Sequence, residues 1–308
     1  MANRTALFNR SQPGGVVTIS DFAAHPGDIW FVDAGSGTDG AGYGEDPDSP
    51  CKTLEYVITN KATASQGDVI YCMPGHTEAL GADSAVDVDK AGLTIVGLGY
   101  GANRPTFTAT ATAGDFKLAA ASGRIENLLF LSGIDATTGM LEISGTDCQV
   151  INCEFRDSVD QATDCILTVN GSDRLLIDGC KFNMATAGGA NTAIALDGSD
   201  DTIIRNCWLY GEFALGAIQC RTTASARIHI HDCTIWTQAT EDLAIHDFIT
   251  GSTGFIGPNL SIMLADNAAN ITTAVTGATF QMIDPVYIVN LVNEKAMLSN
   301  WTASTHGA

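Results

Sequence analysis

The chain has 308 residues, 45% apolar, 16% charged and only 7% aromatic, with a formal net charge of −20. That acidity argues against nucleic acid or an anionic membrane as a partner, because phosphate binding requires clustered Lys and Arg. Nine cysteines without a CxxC pair do not form the pattern of a secreted disulfide framework or a zinc site, and no apolar run is long enough to span a bilayer.

Residues 1–27 read as an N-terminal arm. Their start, MANRTALFNR, lacks the apolar core of a Sec-type signal, so folding in a reducing host cytoplasm is expected. Arg4 and Arg10 stand against Asp21 alone, which makes the arm mildly basic and suited to docking on an acidic surface. The run WFVDAGSGTDGAGYGEDPDSPCKTLEYVITN predicts a strand, a Gly/Asp loop and a short amphipathic helix. Leu54, Val57 and Ile58 of that helix would face the first coil as a cap. The loop acids Asp33, Asp39, Glu45, Asp46 and Asp48 offer calcium ligands but lack EF-hand spacing, so the loop reads as a connection. GDVIYCMPG and GLTIVGLGYG predict the earliest coil strands.

From Arg124 onward the chain repeats itself. RIENLLF, QVINCEF, LLIDGCKF, IIRNCWL, IHIHDCTI and FIGPNLSI align on the pivots Leu128, Cys153, Cys180, Cys207, Cys233 and Leu260, at steps of 25, 27, 27, 26 and 27. Such a step is one coil of a solenoid. The residue before each pivot is Asn127, Asn152, Gly179, Asn206, Asp232 and Asn259, the three types that tolerate a left-handed backbone. A sharp corner once per coil follows. Pivots and the residues two further on (Phe130, Phe155, Phe182, Leu209, Ile235, Ile262) are expected inside, with alternate residues outside. The ladder Cys153, Cys180, Cys207 and Cys233 is read as core stacking, because Leu fills the same slot elsewhere. A second strand recurs about ten residues before each corner, in LEISG, ILTVNG, IALDGS and IQCRTT, with Gly145, Gly171 and Gly198 in step. Residues 28–264 are thus an all-β right-handed parallel β-helix. Residues 265–308 are expected to lose the step and form a divergent C-terminal β cap or association segment.

The run FVDAGSGTDGAGYGEDPDSPCKTLEYVI, followed by GDVIYCMPG and Asn-cornered coils, resembles the opening of pectin-lyase-like right-handed parallel β-helix proteins, a resemblance that extends over residues 28–262. It implies the fold and leaves activity open, since lyases, hydrolases, tailspikes and inert phage virion proteins of decoration or spike type share it. Pectate-lyase relatives use acidic calcium ligands and an Arg or Lys base, yet no Arg-x-Pro-x-x-Arg occurs here. Polygalacturonase relatives combine Asn-x-Asp, Asp-Asp, His-Gly and Arg-x-Lys. Here Asp200-Asp201 is the only adjacent Asp pair, and the sole His-Gly lies at the C-terminus.

Asp197, Asp200 and Asp201, or Asp160 and Asp164 one coil earlier, are the available carboxyl sets for glycoside chemistry, set against a plain role as turn residues. His229 and His231 share one strand face beside Asp232 without an evident third ligand, so no metal is expected. No Walker A or dinucleotide fingerprint is present, and no cofactor is expected. Trp208, Tyr210 and Trp236 fall on one outward face, suited to a subunit contact or to sugar stacking. The expectation is a non-enzymatic structural protein of a bacteriophage virion, a capsid decoration or short spike assembled in the host cytoplasm. It would associate as a homotrimer and dock on the major capsid protein. The alternatives are a tailspike-type depolymerase, hydrolase or lyase, and a glycan-binding module for host surface sugars.

Overall fold

Period-two alternation on each side of a repeated corner forces successive coils to stack strand on strand. The computed structural model describes residues 27–157, 162–185, 189–237, 246–263, 279–283, 286–290 and 295–299. It is a right-handed parallel β-helix built from three sheets. The first sheet holds the strands that precede each corner, from Ile29–Val32 to Thr279–Met282. The third holds those that follow, from Thr77–Leu80 to Val286–Asn290, plus Lys295–Ser299. The second holds seven strands, from Val86–Asp87 to His246–Phe248.

The inward column of the first sheet is Ile70, Ile95, Ile125, Val150, Ile177, Ile204, Ile230 and Ile256, all fully buried. On the third sheet Phe130, Phe155 and Phe182 stack at 5.0 and 4.8 Å between ring centroids. Burying each ring contributes about 1.5–3 kcal/mol. Cys153, Cys180, Cys207 and Cys233 are buried free thiols of the same core. Burial pushes the Cys153 thiol up to about 12, so it stays neutral and bonds the Ile151 carbonyl at 3.4 Å.

The corner is left-handed at Asn127 (φ 57°), Asn152 (51°), Gly179 (68°), Asn206 (53°) and Asp232 (56°). Four of these corner N–H groups reach the next coil: Asn127 donates to Ile151 O, Asn152 to Asp178 O, Gly179 to Arg205 O and Asp232 to Pro258 O. The sixth corner departs from expectation. Leu260 pairs with Thr234 and is exposed, so the pivot column passes instead through Asn259, which is buried. Pro258 takes the corner position opposite Asp232, and a proline ring cannot adopt positive φ. Asn259 compensates from inside, accepting from Cys233 N at 2.8 Å and donating to Ile230 O and Gly257 O. By the same slip Ile262 pairs with Trp236 instead of with the inward Ile235.

A second left-handed corner, unrecognised in the sequence, runs through Ser122, Asp147, Arg174, Asp201 and Arg227, with φ between 57° and 60°. Of the predicted glycine ladder, Gly171 and Gly198 are left-handed and Gly145 is not. At the front, the helix Leu54–Asn60 buries Leu54, Val57 and Ile58 as expected. Asp39 accepts from Lys52 N, Thr53 N and Thr53 Oγ1 at the helix start, where a negative charge is favoured. His76, fully buried, accepts from Ala34 N through Nδ1 at 3.0 Å, and its Nε2 lies 3.2 Å from Glu78 Oε2, which also accepts from Leu54 N. At the far end the coil step continues past residue 264: Phe280 pairs with Gly254 and Val286 with Leu260, both in parallel. The departure comes later, where Lys295–Ser299 pairs antiparallel with Val286–Asn290.

Candidate functional site

Asp197, Asp200 and Asp201 lie together at the second corner. Each carboxylate accepts hydrogen bonds from the next coil: Asp197 Oδ1 from Thr223 N, Asp200 Oδ1 from Ala226 N at 2.7 Å, and Asp201 from Arg227 Nε and Nη2 at 2.5 and 2.8 Å. The Arg227 guanidinium holds the Asp201 carboxyl below its ordinary range. One coil pair earlier, Arg174 grips Asp147 in the same two-pronged way, at 2.6 and 2.7 Å. The corner therefore alternates Asp, Arg, Asp, Arg along the solenoid, and its acids tie coils together. Asp160 lies outside the described residues, as do Arg4 and Arg10 of the arm.

On the third sheet the register puts Tyr210 beside Trp236, and Lys181 and Thr234 on either side of Trp208. Trp208 and Tyr210 are stacked at 5.4 Å and 4°, and Trp236 meets Tyr210 edge-on at 6.2 Å. Trp208 is exposed, and so is Leu260 one coil beyond Thr234. The coils below carry cations: Lys181 is exposed one coil down, and Arg156 grips Glu154 two coils down, where Arg104 reaches the same carboxylate from further along the solenoid. Three cations against one carboxylate make this face locally basic on an acidic protein. The sequence located the three rings; the flanking cations it did not join to them.

Asp164 of the earlier carboxyl set has a partner that the sequence did not reveal. Asp164, 2% exposed, is gripped by Arg221 from two coils away, and its Oδ1 has no hydrogen-bond partner among the described residues. Thr192, its register neighbour, donates to Gln219 at 3.2 Å. Burial raises the Asp164 carboxyl despite the guanidinium. Asp157 is raised by burial as well, with Oδ2 on Ala185 N at 3.0 Å and Oδ1 without a partner among the described residues. Both carboxylates bear electrostatically on the Cys165 thiol. The pairing of Asp164 with Arg221 spans 57 residues, so nothing local in sequence announces it.

The remaining candidates are engaged in the fold. His229 packs on Phe255 at 5.8 Å, and His231 Nδ1 lies 2.7 Å from Asp232 Oδ2. In the Gly/Asp loop Asp33 bonds Gly35 N and Ser36 Oγ, and Asp46 bonds Asp48 N. Among the described residues no three of His, Cys, Asp and Glu converge where a metal ion would sit.

No protein-family profile matches the chain, and no curated protein sequence matches it. Among solved structures, a rhamnogalacturonan lyase superposes with a TM-score of 0.52 at 14% identity, over 85% of this chain and 67% of that one. The likeness is one of fold. That fold is the parallel β-helix expected from the repeat.

Proposed function

We propose that the chain is a non-enzymatic, self-associating structural protein of a bacteriophage virion, a capsid decoration or short spike. The observation that carries this reading is the aromatic face: stacked Trp208 and Tyr210 with Trp236 on a flat sheet, beside exposed Leu260 and Lys181. A contiguous apolar patch of this kind on a soluble protein marks an interface. Tryptophans at such a centre are typical hot spots, each about 2 kcal/mol or more of binding. The Asp197, Asp200 and Asp201 carboxylates favour the non-enzymatic reading, because each is committed to bonds between coils. In this scheme the chain forms a homotrimer and meets a major capsid protein, with Arg4 and Arg10 on the acidic surface it docks against. Size exclusion with light scattering tests it. The wild type is expected as an oligomer, and Trp208→Ala with Trp236→Ala as a monomer of unchanged circular dichroism. A wild-type monomer at micromolar concentration overturns the reading.

A second reading, a polysaccharide depolymerase, rests on one observation: the desolvated Asp157 and Asp164, with Arg221 paired to Asp164. A raised carboxyl near a cation is the kind of group that acid–base chemistry on acidic sugars uses. The solved neighbour of the fold is named a rhamnogalacturonan lyase. Release of reducing ends or unsaturated sugars from a glycan panel, lost in Asp164→Asn and Arg221→Ala, would support it. Inactivity on the whole panel would remove it.

A further inference from the structure

The first sheet carries a second apolar cluster, on its outer face, at the N-terminal end. In Ile29–Val32, Val69–Cys72 and Thr94–Gly97 one parity (Trp30, Val32, Ile70, Cys72, Ile95) points into the solenoid core. The opposite parity points away from it, and there Phe31, Val69 and Tyr71 are only 3%, 6% and 6% exposed. Ile29, Met73, Val96 and Leu98 pack around them, partly buried, and Phe31 stacks on Tyr71 at 5.8 Å. Further along the same sheet the outward residues Gln149, Ile151, Leu176 and Ile203 are half-exposed. An outer face this buried has a cover. The neighbouring residues 44–51 do not provide it on the face: Phe31 N donates to Gly44 O and Cys51 N to Phe31 O, in-plane bonds that extend the sheet edge.

We infer that the occupant of this outer cluster is the chain's own N-terminal segment, residues 16–26, seated in cis. The first described residue, Gly27, stands two positions before Ile29, a member of the cluster. Immediately upstream the sequence offers Val16, Val17, Ile19 and Phe22, the apolar run of the arm nearest to Gly27. Phe22 is five residues from Gly27, a span of about 17 Å when extended. The three strands of the cluster lie about 4.8 Å apart, so they are about 10 Å across and within that reach. Burial of apolar side chains against apolar side chains supplies the driving force. Phe22 and the residues before it would therefore fasten the arm's base, with Arg4 and Arg10 beyond the anchor. This seat is independent of the aromatic face on the third sheet, so either can fail alone.

Photo-crosslinking of the full chain tests the seat. A benzoyl-phenylalanine replaces Phe22, and light and heavy-isotope chains are mixed through unfolding and refolding before irradiation. The expected product joins Phe22 to residues 29–31, 69–73 or 94–98, with both peptides carrying the same isotope. Amide exchange in residues 69–73 is expected to accelerate at least tenfold in Phe22→Asp. Cross-links that map elsewhere, mixed-isotope pairs, or unchanged exchange in Phe22→Asp would each overturn the inference.

Discussion

Successive central coils turn two left-handed corners, and they are made of different chemistry. At the first, Asn127, Asn152, Gly179 and Asn206 hold φ between 51° and 68° with uncharged residues. Asn127 Nδ2 donates to Gly97 O and Gly99 O, at 2.7 and 3.1 Å, and Asn206 Nδ2 to Asp178 Oδ1 at 2.8 Å. At the second, Ser122, Asp147, Arg174, Asp201 and Arg227 hold the same φ, yet Arg is not a residue that favours it. What the two share is the backbone: at both, a corner N–H donates to the coil ahead, as Asn152 does to Asp178 O and Arg174 to Asp200 O. Coil-to-coil bonding, rather than side-chain preference, sets the geometry. At the first corner the side chain adds to that bonding, whereas at the second exposed ion pairs stand in for it.

The comparison predicts a graded series. The largest loss is expected for Asn127→Val, which removes two side-chain hydrogen bonds and puts a β-branched residue at φ 57°. Denaturant melts should register about 3–4 kcal/mol. A loss near 1 kcal/mol would place the first corner on the same footing as the second. Acid comes next. Burial lowers His246 to about 4, so the unfolded state binds its proton first as pH falls. Stability is complete above pH 6.5 and declines down to about pH 4, by on the order of 3 kcal/mol at most, and His246→Leu should flatten that limb. In this background, acid below about pH 3.8 isolates the corners. Asp147 and Asp201, held low by Arg174 and Arg227, lose their pairs there, whereas at the first corner Asn127 bonds only the Gly97 and Gly99 carbonyls, which acid leaves unchanged, and Asn206 alone leans on a carboxylate, that of Asp178. Hydrogen exchange should rise at the second corner first, and simultaneous opening would contradict the distinction.

Gly179→Ala follows, at about 1–2 kcal/mol, since a Cβ there runs into Asn152 Oδ1 and φ is 68°. The smallest effect is expected for Arg174→Gly. It relieves a left-handed arginine while removing an exposed pair that salt screens, so the melting temperature should barely move. A large drop would show that the charged corner carries more than its backbone bonds.

These contrasts also explain what could be read from sequence. Asn, Gly and buried Cys or Phe at a fixed step are visible because each announces its environment, and they gave the coil and its core. The second corner escaped notice because Ser, Asp and Arg at positive φ leave no compositional trace. The slip at Asn259 was hidden by an Asn that matches the pattern one residue late, where Pro258 excludes the left-handed turn. Trp208, Tyr210 and Trp236 were legible from parity alone. The Asp164–Arg221 pair was not, since it joins residues two coils apart. The outer cluster around Phe31 and Tyr71 went unseen because its strands are apolar on both faces, so alternation gives no signal there.

A side-chain-resolution map of the assembled protein by electron microscopy tests the architecture most directly. It should show Asn127, Asn152, Gly179, Asn206 and Asp232 in one left-handed column, successive members about 4.8 Å apart, with Asn259 turned into the core at its end. Dispersed positions for these residues, or Asn259 occupying a left-handed corner, would contradict it.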